Sequence, residues 1–343
     1  MRCRIVPPYL LLRIAASDEP RLADAAAAAR RALLHDIPFR SFRGVAPYRQ
    51  GAPSAAGLQR TIHTADHLET LPGRVVRQEG EAPTGDAATD EAYDGFGHTY
   101  RFLSTVYSRA SIDDNDLPLH GTVHYGDAYD NAFWDGRQMV FGDGDGQVFT
   151  RFTSSLSVIG HELVHGVTQY TTNLIYQGQS GALNESVSDV FGALVEQYAA
   201  NQPTDAASWL IGEGLFTDQV QGSAIRSLKA PGSAFDDDVL GRDPQPGHMD
   251  GYIVTPDDNG GVHLNSGIPN RAFYLVADAL GGFAWERAGR IWYDTITAGT
   301  LPADADFTRF SRATMDAAVV RFGVGSEEHN AVKRAWDTVG VRS

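Results

Sequence analysis

The sequence predicts an α+β protein: a strand-rich first part and a helical second part joined by one buried central helix, preceded by a small separable helical segment. Three observations carry this reading. Apolar residues flank Asp135-Gly136 as the two arms of a hairpin, apolar positions beyond residue 155 recur at helical spacing, and charge and composition shift near residue 55. With 343 residues, 42% of them hydrophobic, the chain is long and apolar enough to bury a substantial core, which excludes disorder as its main state.

Residues 1–55 hold nine arginines against four acidic residues, a net of +5; the whole chain carries −15, so the remainder stands at −20. Such an acidic body is repelled by phosphate backbones, and nucleic-acid binding is not expected. No run of about 18 apolar residues occurs, so neither a membrane-spanning helix nor a membrane partner is expected. The opening Met1-Arg-Cys-Arg-Ile-Val-Pro-Pro-Tyr-Leu-Leu-Leu-Arg13 superficially resembles a secretory signal, but Pro7, Pro8 and Arg13 interrupt the apolar stretch that a signal requires. Cys3 is the only cysteine, so no intramolecular disulfide and no cysteine-built zinc site can form.

Taken in order, residues 18–35 read as a helix with Ser17 as N-cap, acids in its first turn and Arg30 and Arg31 towards its end. Gly44 to Gly57, with Pro47, Gly51 and Pro53, reads as an accessible linker. The expected units are thus a basic segment with linker (1–55), a β-rich lobe (56–155) and an α-helical lobe (156–343). Tyr93, Phe96, Tyr100, Leu103 and Tyr107 predict a helix over 90–109, Asp135-Gly136 a two-residue hairpin turn, and Gly142–Gly146 a loop. Leu156, Val158, Ile159, Leu163, Val164 and Val167 make 156–170 apolar on nearly every face, as a buried helix is. Further helices are predicted at 184–200 and 267–281, and a last one carries Ala331, Val332, Ala335, Trp336 and Val339, with Gly340 as its cap. Trp285, Trp292 and Trp336 read as packing residues, His124 and His248 as structural, and Asp236–Asp238 as a solvated loop.

The chemistry is concentrated in His161-Glu162-Leu163-Val164-His165. Positions i and i+4 of a helix share a face, so both imidazoles can reach one ion, with Glu162 beside them. Zinc accepts neutral imidazole and, in catalytic sites, takes three protein ligands and leaves a place for water, whose proton a carboxylate can accept. Two merely hydrogen-bonded histidines in a buried helix are the bland alternative. Glu185 and Asp189 argue against it: they too are i and i+4, on a face with Val187, Val190 and Phe191, where unpaired carboxylates are costly. A metal on Glu185 and an imidazole N–H on Asp189 would satisfy both. In Asp257-Asp258-Asn259-Gly260-Gly261-Val262-His263, the two glycines allow a turn that brings the loop residue His263 into a cleft, with Asp258 orienting its ring.

Together with Asn131-Ala-Phe-Trp134, Gly181–Asp189 and Asn259–Gly267, these motifs resemble the thermolysin family of zinc metallopeptidases, in order from about residue 60 to the C-terminus. The leader, with Val6-Pro-Pro-Tyr-Leu10, is similar to the protealysin-like branch, whose compact prosegment precedes the mature enzyme. The resemblance implies a two-lobed catalytic body and a proenzyme of a zinc endopeptidase acting on peptides and proteins. By similarity His161, His165 and Glu185 bind one zinc ion, Glu162 is the general base, and His263 and Tyr176 stabilise the oxyanion. Asp258 supports His263, Asp189 and Asn184 orient the zinc histidines, Arg226 holds a substrate carbonyl, and Asn131 and Ala132 form the edge that pairs with substrate backbone. Phe149, Phe152, Val158 and Ile225 fall where the family builds an apolar pocket, which implies cleavage on the amino side of bulky hydrophobic residues.

Glu196 and Glu213 are candidate calcium ligands, but Ser157 and Ser223 stand where aspartates of calcium sites are expected, so one calcium or none is anticipated. The other expected partner is the chain's own prosegment, docking by charge on the acidic body and blocking the cleft until cut near residues 44–58. Cys3 as a zinc thiolate is set against an incidental free thiol, the simpler reading. A monomer is expected, secreted on family grounds, with the cytoplasm as the alternative. Two other functions are weighed: an inactive zinc-binding fold serving as a protein-binding module, against which Glu162 and His263 speak, and a serine hydrolase, for which no Gly-x-Ser-x-Gly is present.

Overall fold

Pro7 and Pro8, which interrupt the apolar stretch of the leader, start a helix. A computed structural model, which describes residues 3–36 and 57–342, places strand β1 at Cys3–Arg4 and helices α1 at Pro8–Ala15 and α2 at Ala23–Asp36. Proline in a first helical turn lacks only an N–H that has no partner there, and its fixed φ suits the helix. Leu10, Leu11 and Ile14 then share a buried face. The helix expected from 18 begins later, because Pro20–Leu22 forms a 3-10 turn; Ser17 accepts from the Glu19 N–H and so does not cap the helix at Ala23. The linker and cleavage region expected around 44–57 fall almost wholly outside the described residues.

The first lobe holds β2 (Arg60–Thr64), β3 (Arg74–Gln78), α3 (Ala87–Tyr107), β4 (Leu119–Val123), β5 (Ala132–Trp134) and β6 (Met139–Phe141). Its sheet has the order β1-β5-β6-β4-β2-β3, with β4 parallel to β2 and β6 and all other pairs antiparallel. The leader therefore supplies an edge strand. The β5–β6 hairpin forms, but Trp134 pairs with Met139, so residues 135–138 turn the chain instead of the predicted two. Asp135 explains the longer turn, since its Oδ1 accepts the N–H groups of both Arg137 and Gln138.

The second lobe begins with α4 (Leu156–Tyr170) and α5 (Gly178–Ala200), the latter starting earlier than predicted. Two short pairs follow, β7 (Leu210–Ile211) with β8 (Arg226–Ser227), and β9 (Asp236–Asp237) with β10 (Gly241–Arg242). The last pair corrects the solvated-loop reading of 236–238: Asp237 Oδ1 closes a hairpin by accepting from Val239 and Leu240. Helices α6 (Asp258–Asn265), α7 (Gly267–Leu280), α8 (Ala288–Thr297), α9 (Phe307–Phe322) and α10 (Glu327–Thr338) complete the lobe. Trp292 and Trp336 are wholly buried and stacked, and Trp285 is buried as well. For the site, the decisive packing is α4 on α5. A Cβ on Gly192 would stand 2.5 Å from the Ser157 carbonyl oxygen, so only glycine lets the two helices touch backbone to backbone.

His124, expected to be structural, lies between two carboxylates. Its Nδ1 lies 2.8 Å from Asp143 Oδ2 and its Nε2 lies 3.2 Å from Asp86 Oδ2. The Asp143 hydrogen bond outweighs the opposing effect of burial and raises the ring to about 9 from its ordinary 6.5. A folded value above the unfolded one gives stability that is complete below the unfolded value and lost as pH rises through the folded one. Urea denaturation of wild type should therefore show stability falling between about pH 6.5 and 9, and His124→Gln should flatten that part of the profile. An unchanged profile in the variant would exclude His124 as the cause.

Candidate metal centre and active site

Helix α4 sets His161 and His165 one turn apart, and the crossing at Gly192 lays α5 beside them. His161 Nδ1 donates to Asp189 Oδ1 at 2.8 Å, and His165 Nδ1 to Asn184 Oδ1 at 2.8 Å. Asn184 uses its amide nitrogen on the Leu174 carbonyl, so its oxygen is the acceptor. Burial alone would raise Asp189, but the Arg226 guanidinium and His161 hold it well below the carboxylate range, so it too accepts. Both rings thus carry their proton on Nδ1 and present a bare Nε2.

Those two Nε2 atoms lie 3.0 Å apart, and the Glu185 oxygens stand 3.6 and 3.5 Å from them. Two lone pairs and a carboxylate, all buried, repel each other without a cation between them. Glu185 Oε2 has no hydrogen-bond partner among the described residues. Burial, against the pull of Glu185, drives His165 down to about 3, so its ring is neutral, as a metal ligand must be. Two imidazole nitrogens and one carboxylate, each oriented by a further partner, fit zinc.

Around this centre stand the other predicted groups. Glu162 is fully buried; its Oε2 accepts from the Trp134 N–H at 2.9 Å and its Oε1 has no partner among the described residues. Burial and the Glu185 charge push its carboxyl well up. His263 lies on α6 and not on a loop, which corrects the sequence reading. Asn259, Gly260 and Gly261 take left-handed φ values of 51°, 83° and 76°, and this kink folds Asp258 back over the ring. Asp258 accepts from His263 Nδ1 at 2.6 Å and from its backbone N–H at 2.8 Å. Burial lowers His263, but the Asp258 and Glu185 charges prevail and raise it to about 9. The Tyr176 hydroxyl donates to Glu185 Oε1 and lies 3.3 Å from His263 Nε2.

The groove beside these residues is filled by the leader. Cys3 and Arg4 pair with Trp134 and Phe133, the Ile5 N–H donates to Ala132 O at 3.2 Å, and the Val6 N–H donates to Asn131 Oδ1 at 3.0 Å. Arg226 is wholly buried, forked onto Asp189 through Nε and Nη2, and its Nη1 donates to Ile5 O at 2.9 Å. Asn270 also donates to Asp189 Oδ2, at 2.8 Å; nothing in its local sequence had marked it.

Among the described residues, apolar burial outweighs charge in holding the leader. Its Arg31–Asp127 pair, 3.6 Å long, is exposed, and such pairs contribute about 0–1 kcal/mol. By contrast Ile5, Val6, Leu10, Leu11, Ile14 and Leu22 are at most 1% exposed, and full burial of such a side chain is worth roughly 1.5–3 kcal/mol. Even with part of that burial internal to α1 and α2, the apolar term dominates among the described residues; Arg40, Arg43 and Arg49, which carry part of the charge asymmetry, lie outside them. Phe149, Phe152, Val158 and Ile225 are also wholly buried. Glu196 and Glu213 lie away from the centre: Glu196 is mostly buried beside Ser157, with Oε2 unpartnered, and Glu213 is exposed.

Comparisons with known proteins agree with this geometry. Residues 56–169 match the family described as thermolysin metallopeptidase, catalytic domain, and residues 172–341 its alpha-helical domain. The chain is 51% identical over 341 residues to an extracellular metalloprotease of Pectobacterium carotovorum subsp. carotovorum, covering 99% of this chain and 96% of the relative. It is 40% identical over 263 residues to thermolysin of Alicyclobacillus acidocaldarius subsp. acidocaldarius, covering 75% of this chain and 46% of that protein. Among solved structures, the precursor of protealysin, a metalloproteinase from Serratia proteamaculans, superposes with a TM-score of 0.90 at 50% identity, over 99% of this chain and 100% of that one.

Proposed function

The chain belongs to the thermolysin family of metallopeptidases, and from that premise we propose a role for each residue of its site. It is a zinc metalloendopeptidase made as a proenzyme. His161, His165 and Glu185 hold the zinc; the pair of bare imidazole nitrogens 3.0 Å apart facing Glu185 is the observation that carries this assignment. When bound, zinc polarises the scissile carbonyl and makes a water acidic enough to attack near neutral pH.

Everything else is done by the chain's own side chains. Glu162, through its unpartnered Oε1, takes the proton of the attacking water and returns it to the leaving amine. Asn131 and Ala132 pair with substrate backbone, and Arg226 grips the carbonyl after the scissile bond. His263, kept protonated by Asp258, and the Tyr176 hydroxyl donate to the oxygen on which negative charge develops. Asp189 and Asn184 fix the tautomers of the zinc histidines. Phe149, Phe152, Val158 and Ile225 supply the apolar surroundings for a bulky residue on the carboxyl side of the cut.

The working units are a prosegment and linker (1–55), a β-rich lobe (56–155) and a helical lobe (156–343), acting as a monomer. The prosegment blocks the groove until it is cut. Secretion is the preferred location: the Pectobacterium relative is named extracellular, and no helix among the described residues is long and apolar enough to cross a membrane. Calcium takes six to eight oxygens, whereas Glu196 and Glu213 offer two carboxylates beside a serine, which leaves room for one weak ion or none. Nothing observed favours an inert protein-binding module. One experiment tests the whole reading: the chain cleaved in its linker and freed of the leader should cleave peptides before bulky hydrophobic residues, lose activity to a zinc chelator and regain it with zinc. The intact chain should be nearly silent; equal activity in the intact and processed forms would refute latency. A calcium titration of Tm on the same samples should show little or no shift.

A further inference from the structure

The leader lies in the groove as a peptide positioned for cutting. His263 Nε2, the donor assigned to the developing oxyanion, is 2.7 Å from the Arg4 carbonyl oxygen. Arg226, assigned to the carbonyl of the residue after the cut, holds Ile5 O at 2.9 Å, while Ala132 O and Asn131 Oδ1 accept from Ile5 and Val6. Chain direction and register therefore place the Arg4–Ile5 bond at the reaction centre, with a bulky hydrophobic residue on its carboxyl side. A leader seated in this way is a substrate, and a latent precursor needs something that spares it.

Cys3, one residue before Arg4, is buried at 4% exposure. Its Sγ and the ligand atoms of His165 and Glu185 all lie within 4.8 Å of one another. Glu185 Oε2, 3.6 Å from His161 Nε2 and 3.5 Å from His263 Nε2, is fully buried and has no hydrogen-bond partner among the described residues. Resting on the zinc assignment above, we propose that in the precursor the Cys3 thiolate is the fourth zinc ligand. It holds the coordination position that the attacking water needs and so protects the Arg4–Ile5 bond. The thiol releases its proton to solvent as the sulfur binds, and four protein ligands close the site as in a structural zinc centre. When the sulfur is removed or alkylated, water enters. Hydrolysis at Arg4–Ile5 then adds a hydroxyl to the Arg4 carbonyl carbon and a proton to the Ile5 nitrogen, severing the residues that pair with β5.

Cobalt is the direct probe. Metal-free full-length chain loaded with Co(II) should bind one ion and show an intense near-ultraviolet thiolate-to-cobalt band; Cys3→Ala should bind one ion without it. A wild-type chain that binds cobalt with no such band overturns the proposal while leaving the zinc assignment standing. Failure of both chains to bind stoichiometrically overturns the zinc assignment and the proposal with it. The second readout is intact mass after zinc loading. Cys3→Ala should lose the residues before Ile5, wild type should keep them, and Cys3→Ala combined with Glu162→Gln should keep them too. A Cys3→Ala chain that stays whole at Arg4–Ile5 shows that the sulfur does not guard the bond.

Discussion

Glu162→Gln is expected to leave zinc bound and to lower turnover by about 10³-fold, within the range that a general base contributes. Glutamine keeps the shape of the side chain and still offers an oxygen to the Trp134 N–H, so the strand β5 contact at 2.9 Å survives. What it cannot do is take a proton from water. Glu162 supplies none of the proposed ligand atoms, so the metal should stay. Zinc content per chain and kcat, both measured on processed protein, separate the two effects. Turnover near wild type would remove Glu162 from the mechanism, and loss of zinc would make it structural instead.

Asp189→Ala should give the largest loss of stability of any single change in the site. The carboxylate accepts from His161, from two nitrogens of Arg226 and from Asn270, and every one of these groups is buried. Its removal leaves a guanidinium at 0% exposure without its hydrogen-bonded counter-charge, a change that typically costs about 3–5 kcal/mol. It also frees the His161 ring to rotate, so zinc affinity should fall by roughly 10–100-fold. Denaturation of the metal-free chain measures the first effect and competition with a chelator the second. A stability loss under about 1 kcal/mol, typical of a surface site, would mean that Arg226 finds another partner.

How far the sequence could be read depended on the distance over which each feature is specified. Helix α4 was predicted over its full span because its apolar positions repeat locally, and His161 with His165, like Glu185 with Asp189, needed only the helical turn. The two-residue hairpin turn failed because Asp135 bonds to two backbone groups of its own loop, a detail that competes with the Asp-Gly preference. Helix α1 was not predicted because Pro7 and Pro8 were weighed only as interruptions of an apolar signal stretch, although Pro8 followed by Leu10, Leu11 and Ile14 is a readable helix start. His263 was placed on a loop because two glycines conceal the short helix that follows them. The charge asymmetry was legible in composition, whereas the apolar burial that dominates the leader's described contacts was not, since exposed pairs such as Arg31–Asp127 contribute little beside buried side chains.

The amino-acid sequence alone determined which side chains share a face, His161 with His165 and Glu185 with Asp189, while the roles proposed for them rest on the family resemblance. The shared faces follow from a 3.6-residue repeat acting over a few neighbouring positions. Only the tertiary structure decided what those groups face in the precursor. The Arg4 carbonyl meets His263 across 259 positions, Ile5 meets Arg226 across 221, and Cys3 arrives beside Glu185 through the pairing of β1 with β5. Contacts of that span leave no periodic trace in the chain, because they arise from the packing of whole segments whose relative placement no local repeat specifies.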